Sequence, residues 1–460
     1  MTVACGQPPI RVAAAYFDSS FRAPMYPHSV DHERRAPAGA YPPTRYAWFV
    51  VICLHLVYAV AILDRQILAL LVQPIRSTLA ITDTQFSLVA GFAFAIFYAT
   101  FGLLLGKAAD HYNRRNMIIG GIIVWTLATA ACGLARNFHE LFLARIFVGA
   151  GEAALTPAAY SLIGDYFPKE HRSRPFSAFT MGVFTGGGAA FVMGSAAIAA
   201  TSSSTSMALP LIGEVKTWQA IFIMFGLLGL GVALLVTLVK EPVRQEVIGV
   251  AGDRSDLMRF LSRKGTVIAR IIIALSLSAL VYYAVAIWSP AVFMRRFGWP
   301  PSRIGTALGL IQMIAGTAGI LVGGWWVGRS RHASNSIVFT MTRNVLLVMI
   351  PLSICVGLAP SAPLALLGLA CLTFATAMIA GQSAVALFHV TPNMFRGRII
   401  AAYILTGTVM GLGVGATLIA AITDYVFHND KAVGASFAIV AAGAALLAAL
   451  CMQSAARSNE

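Results

Sequence analysis

Apolar residues run through this chain in blocks of about 20, the length an α-helix needs to cross a bilayer, separated by short polar connections. Twelve blocks are predicted as spans: 46–72, 84–106, 115–135, 139–163, 175–200, 218–239, 267–293, 303–328, 336–358, 362–388, 397–424 and 433–452. The predicted fold class is an all-α integral membrane protein with 12 transmembrane helices. These form two pseudo-symmetric six-helix halves, 46–239 and 267–452. Residues 1–45 carry Pro8, Pro9, Pro24, Pro27, Pro37, Pro42 and Pro43 but no continuous apolar core of the signal-peptide kind. They are expected to be a disordered tail. Residues 453–460 form a short polar tail.

The connection 240–266 mixes Arg244, Arg254, Arg259, Arg263 and Lys264 with Leu257, Met258, Phe260 and Leu261. That pattern predicts a linker with an amphipathic helix lying on anionic headgroups. The two halves echo each other in sequence. His171-Arg-Ser-Arg174-Pro-Phe-Ser-Ala-Phe179 aligns with Phe395-Arg-Gly-Arg398-Ile-Ile-Ala-Ala-Tyr403, and Pro168 with Pro392 at the same offset. Small residues at four-residue spacing, Gly182/Gly186, Gly319/Gly323 and Gly407/Gly411/Gly415, predict close helix crossings.

Composition fits this picture. The chain is 58% hydrophobic and only 11% charged, where a soluble domain carries about 25%. The formal net charge of +15 sits in short loops between apolar runs, so it reads as topology rather than nucleic-acid binding. The loops with Lys107/Arg114/Arg115, Lys169/Arg172/Arg174, Arg329/Arg331 and Arg396/Arg398 are the richer set. They are expected to be cytoplasmic, with both termini on that side. Five of the six cysteines fall inside apolar runs without metal spacing, so no metal or cofactor is expected.

Asp64–Arg65 in the first span and Arg145 and Glu152 in the fourth change the picture most. A charge near the bilayer centre costs roughly 2.5–3.5 kcal/mol on insertion scales, so such residues persist where they face partners or a wet cavity. Arg145 and Glu152 lie seven positions apart, on one helix face and about 10 Å apart, too far to pair directly. Each is available to Asp64, Arg65 or a ligand. A carboxyl among apolar neighbours can exchange protons near neutral pH, whereas arginine keeps its charge. Protonating either acid frees an arginine to hold an anion. Tyr58, Thr156, Tyr282, Tyr283 and Trp288 are candidate cavity-lining residues. His55 reads as packing.

Gly106-Lys-Ala-Ala-Asp110-His-Tyr-Asn-Arg114-Arg115 follows the second span. There Asp110 can latch onto Arg114, Arg115 or a helix N-terminus. This string resembles the signature loop of the major facilitator superfamily, with His111 and Asn113 departing from its pattern and Gly328 where a second-half aspartate would stand. Together with Leu63-Asp64-Arg65-Gln66 and Gly149-Ala-Gly-Glu152-Ala153, it looks like the Spinster branch. The resemblance implies the major facilitator fold. By position it also implies Asp64 and Glu152 as proton carriers with Arg65 and Arg145 as charged partners or head-group ligands.

The expectation is a proton-coupled secondary transporter working by alternating access. The cargo would be an amphipathic, lipid-like molecule of the lysophospholipid or sphingoid phosphate type. Its partners would be the bilayer, that cargo and protons, and the protein a monomer, in a bacterial inner membrane. Two other cargoes stay open: a small organic anion carried with protons, or a hydrophobic drug exchanged for them. A membrane sensor on the same scaffold would need a signalling domain larger than the tail or linker. No nucleophile–base pair, nucleotide loop or metal cluster points to an enzyme.

Overall fold

A computed structural model describes residues 41–168, 171–201, 206–209, 213–244, 254–329 and 336–457. Residues 1–40 of the tail expected over 1–45, and the linker stretch 245–253, lie outside the described residues; Thr44 and Arg45 of that tail already belong to the first helix. Residues 41–460 form one compact unit.

Among the described residues, twelve helices are long and apolar enough to cross a membrane. Spans 1–6 are Thr44–Leu70, Asp83–His111, Arg114–Cys132, Phe138–Tyr166, Arg174–Ala200 and Thr217–Thr237. Spans 7–12 are Asp256–Phe297, Pro301–Arg329, Ile337–Leu358, Ala362–Val390, Arg396–Val426 and Asp430–Arg457. Local chemistry sets several ends. Thr82 and Gln85 form a reciprocal capping box at the start of span 2, satisfying two N–H groups left over at a helix terminus. Asn113 caps span 3 by accepting from Asn116 N, and Asn137 caps span 4 by accepting from Glu140 N.

Two features depart from the sequence expectation. The amphipathic linker helix is no separate element. It begins at Arg254 and runs unbroken into span 7 as one 44-residue helix, because no proline interrupts it before Pro290. Phe260 in its first turns stacks on Phe395, with ring centroids 5.4 Å apart. Between spans 5 and 6, Ser206–Leu209 and Gly213–Lys216 pair as a small antiparallel hairpin.

Helix neighbours repeat with an offset of six. Span 1 packs on span 5 as span 7 packs on span 11; span 3 packs on spans 4 and 6 as span 9 packs on spans 10 and 12. Span 2 meets span 4 as span 8 meets span 10, and the halves join through spans 5 and 8 and through spans 2 and 11. This is the tertiary form of the sequence repeat. A Cβ at Gly186 would lie 2.5 Å from the Ala59 Cα, and one at Gly149 would lie 2.6 Å from the Phe94 carbonyl oxygen. Of the predicted glycine crossings, Gly407 is the exception, with nothing nearer than 3.6 Å to its position. The joining spans 2, 8 and 11 each carry π-helical turns, Leu88–Phe92, Gln312–Gly316 and Val409–Gly415, a widening that recurs at functional sites.

Candidate functional site

Successive residues on a helix point about 100° apart, so Asp64, Arg65 and Gln66 leave span 1 in three directions. Asp64 turns into the first half, where Thr129 Oγ1 of span 3 donates to its Oδ2 at 2.9 Å. Its Oδ1 is buried without a partner. Arg65 reaches span 4: its Nε donates to Glu152 Oε2 at 2.6 Å and its Nη2 stands 2.5 Å from the same oxygen. The guanidinium also lies over the rings of Phe94 and Tyr98, 4.4 and 4.7 Å from their centroids. Gly149 allows this arrangement, since only a residue without a side chain lets span 4 approach the backbone of Phe94 so closely.

Arg145 is in a different state. It is fully buried, yet Nε, Nη1 and Nη2 all lack a hydrogen-bond partner. Its guanidinium lies 5.4 Å from the Phe94 ring centroid. Its electrostatic neighbours include Cys132, Glu152 and Asp64. Phe94 therefore sits beneath two arginines, one clamped by Glu152 and one unpaired. Glu152 Oε1 is also unpartnered.

The aromatic candidates divide. Tyr58 stacks on Phe179 at 4.8 Å, and Tyr282 lies 5.2 Å from Tyr283 and 6.2 Å from Phe184. Thr156 meets the Tyr98 hydroxyl at 3.2 Å, which places it beside the ring covering Arg65. Trp288 does not line a cavity. It is fully buried and donates through Nε1 to the Ala416 carbonyl at 3.0 Å, because its face of span 7 is packed against span 11. His55 bonds the Ala178 carbonyl and Thr185 within its own half, in keeping with packing.

The loop after span 2 is held differently from expectation. Asp110 is exposed and bonds neither Arg114 nor Arg115. Arg114 is buried against Asp165 of span 4 and donates to Glu241 Oε1 at 2.7 Å, while the Arg115 backbone N–H donates to Glu241 Oε2 at 3.0 Å. Glu241 outcompetes Asp110 because the chain leaving span 6 folds back here, with Arg244 donating to the carbonyls of Ala109 and Tyr112 at 3.0 and 2.8 Å. Gly106 meets only Pro157 of its own half.

Sequence reasoning missed a second charged cluster, on the face opposite Tyr41 and Arg457, the first and last described residues. Asp83 is fully buried and takes Arg295 Nη1 and Nη2 at 2.5 and 2.7 Å and Arg76 Nε at 3.2 Å. Arg76 Nη1 donates to Asp430 Oδ2 at 2.7 Å, and Asp424 Oδ2 accepts from both the backbone N–H and the hydroxyl of Thr84 at 2.7 Å. These bonds tie spans 1–2 to spans 7, 11 and 12. The carboxylates of Asp83, Asp424 and Asp430 approach within 4.8 Å of one another, but two arginines already supply the positive charge a metal would bring. Their sequence signal was position alone: Arg76, Asp83, Arg295 and Asp430 stand in the predicted connections and Asp424 at the end of the predicted eleventh span. A cavity of ≈ 800 Å³ beside Trp48, Tyr166, Phe167 and Arg174 holds none of the four charged residues of spans 1 and 4.

Residues 54–416 match the family model of the Major Facilitator Superfamily. The chain is 26% identical over 440 residues to an MFS-type efflux pump of Mycolicibacterium smegmatis, covering 93% of this chain and 96% of that one. It is 28% identical over 335 residues to human protein spinster homolog 1, covering 67% of this chain and 57% of the human protein. Among solved structures it resembles a bacterial homolog of the human lysosomal transporter Spinster, crystallised inward-facing and unoccupied. The TM-score is 0.74 and the identity 24%, over 90% of this chain and 96% of that one. With its twelve spans, its repeated helix packing and a family match across most of its length, the chain belongs to the Major Facilitator Superfamily.

Proposed function

We propose that the protein is a proton-coupled secondary transporter working by alternating access, and that its cargo is an amphipathic molecule with an anionic or zwitterionic head. The observation that carries this reading is Arg145, a buried guanidinium without a partner. A buried, unpaired charge is costly, and an anionic head supplies what it lacks. Arg65 is reserved by Glu152. When Glu152 takes up a proton, the neutral acid releases Arg65, and both arginines can then hold the head. When the proton leaves, Glu152 reclaims Arg65 and the head is loosened. Asp64, whose Oδ1 is unpartnered, offers a second place for a proton. The rings of Phe94, Tyr98, Tyr282 and Tyr283 suit the apolar part of the cargo.

The arginine–aspartate cluster holds the halves together on the face opposite Tyr41 and Arg457. If the loops on the side of Tyr41 and Arg457 lie in the cytoplasm, as their charge suggests, this conformer is closed outward. The test is binding of an oleoyl lysophospholipid, an aromatic carboxylate and a cationic drug to the purified protein at low and high pH, then transport in vesicles with a pH gradient. Selective lysolipid binding, lost in Arg145→Gln, is expected. Selective binding of the carboxylate would make the site a compact anion pocket and overturn the cargo assignment.

A second reading is supported by the match to the Mycolicibacterium efflux pump and by the same aromatic rings: export of hydrophobic compounds. Drug binding indifferent to Arg145→Gln would favour it.

A further inference from the structure

Gln66, the third of the consecutive polar residues of span 1, points neither at Asp64's partners nor at Arg65's. It faces span 5 at Gly187, where a Cβ would lie 2.7 Å from Gln66 Nε2 and 3.3 Å from Gln312 Oε1 of span 8. Two carboxamides, one from each half, thus converge against Gly187, where any side chain would collide with them. Both are more than nine-tenths buried, at 6% and 1% exposure. Gln66 Oε1 and both polar atoms of Gln312 have no hydrogen-bond partner. Gln312 opens the π-helical turn Gln312–Gly316 of span 8, and Tyr282 of span 7 neighbours Gln66. A buried amide left unpaired loses the full cost of its desolvation. Three such atoms gathered where the halves meet, one of them on the span that carries Asp64 and Arg65, are placed to be satisfied by something that enters between the halves.

We propose that Gln66 and Gln312 form a second recognition point for the cargo where the halves meet, taking a neutral hydroxyl or carboxamide of the cargo adjacent to its anionic head. The carboxamide is the fitting chemistry, because it presents both donors and an acceptor and carries no charge. A hydroxyl, which both donates and accepts, can be held by the two amides together. Since one amide belongs to each half, this contact forms only with both halves around the cargo. The proposal rests on the cargo reading above and names a further part of that cargo.

The experiment compares binding of 1-oleoyl lysophosphatidate, which has a free glycerol hydroxyl beside its phosphate, with its deoxy analogue lacking that hydroxyl. The proteins are the parent, Gln312→Met and, separately, Gln66→Met. Size-exclusion profile and thermal midpoint serve as folding controls. The parent is expected to prefer the hydroxyl-bearing lipid about tenfold, and either variant to lose that preference while binding the deoxy lipid like the parent. Equal affinity of the parent for both lipids overturns the subsite and leaves the cargo reading standing. A proportional loss for both lipids in a well-folded variant does the same, and makes the amides a strut between the halves. Failure of the parent to bind either lipid overturns the cargo reading, and the subsite with it.

Discussion

Arg65 and Arg145 share a ring, Phe94, and differ in everything else: one is paired to Glu152, the other has no partner. This inequality is what the proposed proton coupling rests on. It predicts opposite effects of two neutralising substitutions. Arg145→Gln should weaken anionic ligand binding at every pH by about 10- to 100-fold, the worth of hydrogen bonds to a charged group, with the thermal midpoint unchanged or raised because an unpaired buried charge is removed. Glu152→Gln should instead release Arg65 permanently. In the parent, binding should strengthen as pH falls and Glu152 takes up its proton; in Glu152→Gln it should be strong and flat across the same range. Isothermal titration at several pH values decides this. A parent without pH dependence would reduce Glu152 to a static partner of Arg65.

Among the elements, spans 2 and 11 bring Thr84 and Asp424 together, and the ends of spans 1 and 7 bring Arg76 and Arg295 onto one buried aspartate. Asp83 serves two arginines, so removing its charge breaks both bridges. Breaking a buried pair by removing one partner is strongly destabilising, by about 3–5 kcal/mol. Asp83 and Arg295 belong to different halves, so the cost falls on the state that holds the halves together at this face. Asp83→Asn should therefore shift the population toward the state open there. Spin labels on the exposed positions Ser77 and Tyr425 would read this as a longer-distance population that is minor in the parent. An unchanged distance distribution would mean that helix packing alone keeps this face shut.

On the scale of the whole molecule, the halves are joined through spans 5 and 8 and through spans 2 and 11, the pairing expected of a two-fold repeat. In the proposed alternating-access cycle, rocking of the halves would open the contact between Thr84 and Asp424. Thr84→Cys with Asp424→Cys should cross-link on oxidation and abolish transport reversibly on reduction, while each single variant stays active. Retained transport in a fully cross-linked protein would rule out opening at this face as a step in the cycle.

How much of this was legible in the chain follows from the range of each force. Hydropathy acts along the helix, so the twelve spans, the duplicated organisation, and the four charges of spans 1 and 4 could be read directly from residues 46–452. The glycine crossings were legible for the same reason, since a missing side chain matters wherever a neighbour comes close. Pairing was not legible. Asp64 finds Thr129, a residue that apolar spans carry without remark, and Arg114 chooses Asp165 and Glu241 over Asp110 a few positions away. Arg295 and Asp83 stand 212 residues apart, and Arg76 and Asp430 stand 354 apart. An ion pair needs its atoms within a few ångströms, and only the packing of backbones from distant parts of the chain sets that distance. The sequence by itself determined that Asp64, Arg65, Arg145 and Glu152 lie within membrane spans; the tertiary structure decided which charges are paired, buried Asp83 and Arg114 as well, and left Arg145 and the two glutamines with bonds to make.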